Sequence, residues 1–236
     1  MDWVTALIAA GVGYLTGSIS FARIIMRVVA PGQELTGIEF GEPGEQRHVD
    51  AISGTAVSMT LGPKYGGLTA ILDILKVALP ALAFRLLFPD QPYFLISAAL
   101  GLIGHNWPIY YRFRGGRGLS AIYAGYLVLD FWGTLITAVV GMLLGVVVLK
   151  MVYVSYLAGL WLMIPWIWFR THNLAYLGYV LYTNAVFVLV LVPEIKKTMQ
   201  ERQEGKDKGF SDSMDITPMG KMITRLATRL GLLRKQ

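Results

Sequence analysis

The residues best equipped for chemistry lie in one short run: Gly104-His105-Asn106-Trp107-Pro108-Ile109-Tyr110-Tyr111-Arg112-Phe113-Arg114-Gly115-Gly116-Arg117-Gly118. Glycines let backbone N–H groups converge on an oxyanion, and the start of the helix that follows adds a positive dipole end. Arginine supplies the matching charge. A histidine beside such a cradle can take or give a proton near neutral pH. The run therefore reads as a phosphate-handling site with His105 and Arg117 as its reactive members. Alone, His105 at a helix end could simply satisfy carbonyls, and Arg112 and Arg114 fit loop anchors better than ligands. Arg117 differs, because an anchor does not require Gly115, Gly116 and Gly118 around it.

The elements that carry this run are apolar. The chain has 236 residues, 55% of them hydrophobic and 15% charged, against about 25% charged in soluble domains. Its mean hydropathy is +0.54. Cysteine is absent, which excludes disulfide and thiolate chemistry. The three histidines, His48, His105 and His172, are far apart and outside any metal-binding pattern, so no metal and no cofactor is expected. A nucleic-acid partner is not expected either.

Apolar segments fall at 4–29, 67–88, 93–107, 119–131, 134–149, 152–169 and 174–192. A span takes about 20 residues, so several of these are short. The expected fold class is all-α: a polytopic integral membrane protein of about seven transmembrane helices, with short re-entrant or loop elements on the cytoplasmic side. The first segment lacks a basic start and a small-residue cleavage site, so it reads as a retained helix rather than a signal peptide. Asp130-Phe131-Trp132-Gly133 reads as a polar turn with an interfacial aromatic. Asp73 and Lys76 lie three apart within an apolar segment and should face the interior. An ion pair and a substrate contact explain them equally well.

Charge sets an expected orientation. With the amino-terminal end outside, the inner side receives Arg23, Arg27, Arg47, Lys64, Arg112, Arg114, Arg117, Lys150 and a basic tail; the outer side receives Arg85 and Arg170. That is the positive-inside pattern. The chain divides into a membrane domain, 1–193, and a cytoplasmic tail, 194–236. Within the tail, 205–218 is a polar linker. Residues 219–235 place Met222, Leu226, Leu230 and Leu233 at helical spacing among Lys221, Arg225, Arg229 and Arg234. Such a helix lies on an anionic inner leaflet or packs on its own protein.

Three stretches resemble one family, the bacterial membrane glycerol-3-phosphate acyltransferases of the PlsY type, which use acyl phosphate. Gly17-Ser18-Ile19-Ser20-Phe21 is similar to that family's G-S-I-P-F. Thr60-Leu61-Gly62-Pro63-Lys64-Tyr65-Gly66, Leu68-Thr69 and Leu72-Asp73-Ile74-Leu75-Lys76 resemble T-L-G-K-K-x-G, L-T and L-D-L-L-K. Gly104-His105-Asn106-Trp107-Pro108 and Phe113-Arg114-Gly115-Gly116-Arg117-Gly118 resemble G-H-x-F-P and F-K-G-G-K-G. The chain also departs from the pattern. Gly44-Glu45-Gln46-Arg47 stands for G-D-I-R, 50–56 is a worn version of G-S-G-N-x-G-A-T-N without its asparagines, and the final N-I-x-R-L-x-x-G-x-E has no counterpart after the last helix.

The resemblance implies a multi-pass enzyme of the bacterial plasma membrane that moves an acyl chain from acyl phosphate to glycerol 3-phosphate, giving lysophosphatidate. It implies no metal and no covalent acyl-enzyme. On this reading His105, Arg117 and Ser18 are catalytic, and Arg47, Thr55, Gly115, Gly116 and Gly118 bind substrate or phosphate. Two alternatives stand beside it: a divergent paralogue with another acceptor, and a non-catalytic membrane scaffold or transporter. The sequence leaves acyl-chain preference and oligomeric state open.

Overall fold

The computed structural model describes residues 1–33, 35, 38–40, 47–49, 52–149, 152–203, 225, 228 and 229. Helices dominate it: α1 (Trp3–Gly17), α2 (Phe21–Val29), α3 (Gly54–Leu61), α4 (Pro63–Leu87), α5 (Tyr93–Asn106), α6 (Leu119–Leu129), α7 (Phe131–Leu143), α8 (Val152–Thr171) and α9 (Leu174–Gln203). A single antiparallel hairpin, β1 (Ile38–Phe40) with β2 (Arg47–Val49), interrupts the helical order between α2 and α3. It pairs Glu39 with His48. The all-α expectation holds for the bundle; the short hairpin is an addition to it, and the short α3 lies between the expected apolar segments.

Among the described residues, two stretches are long and apolar enough to cross a membrane, Trp3–Val29 and Leu174–Pro193. Leu119–Leu129 and Phe131–Val146 are shorter apolar helices. Leu7 and Leu86 are each 72% exposed, and similar apolar side chains cover the outside of α1 and α4. Such a surface suits lipid rather than water. Prolines sit inside α4, α8 and α9, which a membrane bundle tolerates where neighbours re-satisfy the freed carbonyls.

Segment 4–29 was expected to be one helix; the structure breaks it after Gly17. The Ser18 hydroxyl donates back to the Tyr14 carbonyl at 2.8 Å, a bond that competes with helix continuation, and α2 restarts from Ser20. The expected turn at 130–133 shrinks to one residue. Asp130 is the N-cap of α7 and accepts from Gly133 N–H at 3.0 Å, so Phe131 and Trp132 already belong to the helix. Segment 67–88 starts earlier, at Pro63, because Gly62 turns the chain at φ +92° and proline is preset for a first helical turn. At the far end, α9 runs through Pro193 to Gln203, across the boundary placed at 193. The linker 205–218 lies outside the described residues. Of 219–235 only Arg225, Thr228 and Arg229 lie inside them, all helical.

Packing explains why α1 and α5 hold the site. Their backbones touch along small residues: a Cβ on Gly13 would run into the Ser97 backbone, and one on Gly17 into that of Gly101. Small residues at such crossings are how membrane helices gain van der Waals contact. The main core joins Ala9, Val77, Leu102, Ile122, Tyr126, Leu160, Met163 and Val180. Inside it, Tyr126 and Thr183 hydroxyls lie 2.9 Å apart, and Asn184 donates to Tyr126 Oη at 2.9 Å and to the Leu160 carbonyl at 3.3 Å. That network ties α6, α8 and α9. A second cluster, Ala22, Ile25, Met26 and Val57, seats α2 and α3 against α4.

Candidate active site

Helix breaks and glycine loops create a small, partly open cleft lined by Gly17, Ser18, Ile19, Ser20, Ile52, Asp73, Lys76, His105, Pro108, Gly115 and Gly116. Five pieces of chain meet there. The α1–α2 break supplies Gly17 to Ser20, the stretch before α3 supplies Ile52, α4 supplies Asp73 and Lys76, α5 supplies His105, and the loop before α6 supplies Pro108 and the diglycine.

His105 stands on the last turn of α5, which ends at Trp107 because proline follows. It is 7% exposed. Its Nδ1 is 3.9 Å from Asp73 Oδ1 and has no hydrogen-bond partner among the described residues. Lys76 Nζ is 2.7 Å from the same Asp73 oxygen and donates to the Ile19 carbonyl at 2.6 Å. Asp73 and Lys76 thus form an ion pair, one of the two readings the sequence left open, and also line the cleft. Their cue in the sequence was two charges inside an apolar run, and sequence reasoning left them out of the site residues.

Gly115 and Gly116 are glycines for a steric reason. A Cβ on Gly115 would collide with the His105 carbonyl and Pro108, and one on Gly116 with the His105 imidazole. The loop is held down by Gly116 N–H donating to the His105 carbonyl at 3.1 Å and by Ile52 N–H donating to the Gly115 carbonyl at 3.3 Å. The Gly116 N–H is therefore engaged in the structure and is not among the N–H groups that could converge on an oxyanion. The N–H groups that helix geometry leaves unpaired are those of the first turn of α6. That helix starts from Gly118 at φ +89°, without a side-chain cap. Gly118 packs on the Asn106 amide, where a Cβ would not fit.

The remaining expected residues are placed less uniformly. Ser18 is fully buried in the cleft wall; its proton goes to the Tyr14 carbonyl and its oxygen accepts from Ile109 N–H at 3.4 Å. Arg117 is half-buried beside the cleft, and neither it nor Gly118 is part of the lining. Thr55 is exposed in the first turn of α3, three residues past the cleft-lining Ile52. Arg47 lies on β2. The arrangement offers a buried lysine, a buried imidazole with one open nitrogen, and a glycine wall. Those are the parts for holding an anion next to a proton carrier.

Residues 7–201 match the family model described as glycerol-3-phosphate acyltransferase. A glycerol-3-phosphate acyltransferase of Mycoplasma mycoides subsp. mycoides SC is 29% identical over 206 residues, 78% of this chain and 75% of that protein. One of Mycoplasma capricolum subsp. capricolum is 36% identical over 127 residues, 51% of this chain and 45% of that protein. The chain thus spans less than half of the second relative. The crystal structure of PlsY (YgiH), an integral membrane glycerol 3-phosphate acyltransferase, in its glycerol 3-phosphate form superposes with a TM-score of 0.68. It is 21% identical and covers 87% of this chain and 95% of that one. The shared fold carries the membrane bundle, and the match from 7 to 201 spans the helix break, the Asp73–Lys76 pair and the diglycine loop alike: the chain belongs to the glycerol-3-phosphate acyltransferase family.

Proposed function

We propose that this protein is a plasma-membrane acyltransferase that moves an acyl chain from acyl phosphate to the 1-hydroxyl of glycerol 3-phosphate. The observation that carries the reading is the cleft itself, in which the Gly115–Gly116 wall, His105 and Lys76 face one small space. Acyl phosphate is an activated donor, so the protein's work is to position two anions and stabilise developing charge. The hydroxyl oxygen adds to the acyl carbonyl carbon, the carbon–oxygen bond to phosphate breaks, and inorganic phosphate leaves. His105 holds the hydroxyl proton. Arg117 with Gly115, Gly116 and Gly118 cradles one phosphate. Arg47 meets the other, with Ser18 and Thr55 as hydrogen-bonding partners.

The cleft end faces the cytosol in this proposal, with the amino-terminal end outside, so the acyl tail stays in lipid while polar reactants arrive from water. Residues 219–235 lie on the anionic leaflet. A Gly205→Cys variant, whose thiol is unique because the chain has no cysteine, stays unlabelled by an impermeant reagent in intact cells. Labelling without lysis reverses the orientation.

The central test is acyl transfer by the purified protein in lipid, with acyl phosphate and either glycerol 3-phosphate or other hydroxyl acceptors. A charged hydrogen bond contributes about 1.5–3 kcal/mol, so Arg117→Ala and His105→Ala each slow transfer roughly tenfold to a hundredfold. Arg117→Lys keeps substantial activity, and exposed Arg112 tolerates alanine. Full activity in Arg117→Ala removes the cradle. A parent that transfers to no acceptor removes the enzyme.

A further inference from the structure

A side chain from α2 reaches across to the basic loop before the diglycine. Arg23, in the first turns of α2, donates from Nη2 to the Arg114 carbonyl at 2.7 Å. Its Nη1 donates to Ser20 Oγ at 3.3 Å, and its Cζ sits 4.4 Å above the centre of the Tyr111 ring. The guanidinium therefore bridges Ser20 and the residue immediately before Gly115, and Ser20 and Gly115 both line the cleft. Between these points Arg112 and Phe113 both adopt left-handed backbone, φ 51° and 59°. Non-glycine residues hold that conformation only where surrounding contacts over-determine it. Within the loop, Phe113 N–H donates to the Pro108 carbonyl at 3.0 Å and Arg114 N–H to the Tyr111 carbonyl at 3.1 Å; Arg112, Phe113 and Arg114 are exposed, and Arg23 ties this turn to α2.

We infer that Arg23 is a positioning residue for the site: it clamps the 109–114 loop onto α2 and so fixes the width of the cleft at the diglycine. This rests on the acyl-transfer reading of the cleft. Arginine suits the task because its planar fork donates in two directions while its face lies on an aromatic ring. Lysine offers neither the fork nor the stacked plane. The half-buried position of Arg23 lets other side chains occupy it without emptying the core.

Two measurements on the full chain in detergent or nanodiscs test the clamp, one of which needs no activity. Hydrogen exchange across 109–118 in Arg23→Gln should rise about tenfold, the scale of one lost charged hydrogen bond, with α5 and α6 exchanging as in the parent. In the transfer assay, the KM for the phosphate-bearing substrates should rise about tenfold while kcat changes much less. Arg23→Lys should recover only part of that loss. Tyr111→Leu should shift KM in the same direction, and its effect should not add to that of Arg23→Gln. Unchanged exchange in the loop overturns the clamp whatever the activity. Faster exchange with an unchanged KM overturns it as a positioning device. If the parent transfers nothing at all, the enzyme reading fails and this inference falls with it, an outcome the exchange data keep separate.

Discussion

Two buried acids in this bundle keep very different company. Asp130, at the α6–α7 junction, accepts from Gly133 N–H at 3.0 Å and from Trp166 Nε1 at 2.9 Å, and Arg170 Nε lies 2.8 Å away. Arg85 closes the same corner by donating to the Leu129 carbonyl at 3.1 Å. Asp73, one and a half dozen ångströms or so along α4 from that corner by helical rise, is paired with Lys76 but stands beside an imidazole whose Nδ1 has no bond among the described residues. Around Asp130 both carboxylate oxygens are engaged and tryptophan and arginine side chains cover them. Around Asp73 glycines leave space. A satisfied polar corner ties helices together, whereas an unsatisfied one beside a cavity is a place for a ligand.

Breaking the Asp73–Lys76 pair should have the largest effect. Lys76→Met leaves a buried carboxylate alone, and loss of one partner of a buried pair costs about 3–5 kcal/mol; thermal unfolding of the purified protein should fall sharply. The combined Asp73→Leu and Lys76→Met variant should recover most of that stability, since apolar replacement of a whole buried pair is often neutral. It should nonetheless remain inactive, because the cleft has lost its buried cation. Recovery of activity with stability would make the Asp73 corner equivalent to the Asp130 one.

Next in size is Gly116→Ala. Its methyl group meets the His105 imidazole, and overpacking costs about 1–3 kcal/mol, so transfer should fall roughly fivefold to a hundredfold. Unfolding should shift little, since the loop can move while the bundle stays. Parent-like kinetics would show that the diglycine wall does not set the position of His105.

The smallest effect belongs to the satisfied corner. Asp130→Asn keeps the shape and an acceptor but loses charge toward the half-exposed Arg170, so the expected cost is about 1 kcal/mol of stability with kcat and KM unchanged. A large kinetic effect there would couple the two ends of α4 and erase the distinction drawn between them.

Much of this was readable from residue order. Apolar segments gave most of the helices, the segment closing at 107 gave the end of α5, and the histidine-to-diglycine run gave the loop that walls the cleft. Those are local properties, since period, breakers and caps act within a turn or two of chain. The sequence also placed Asp73 and Lys76 side by side, because residues three apart on a helix are neighbours, and left an ion pair and a substrate contact equally open. Tertiary structure alone decided that this pair faces His105, about thirty residues away, and that Gly116 N–H bonds the His105 carbonyl. It decided too that Arg23 reaches the Arg114 carbonyl across ninety-one residues. The β-hairpin and α3 came as additions because their apolar runs are too short to carry a period. Contacts of that range depend on how α1, α4 and α5 pack through their small residues, and no local pattern encodes which glycine will meet which backbone. Spacing along the chain named the chemistry; close packing between distant helices chose which groups share the cleft and which are already satisfied.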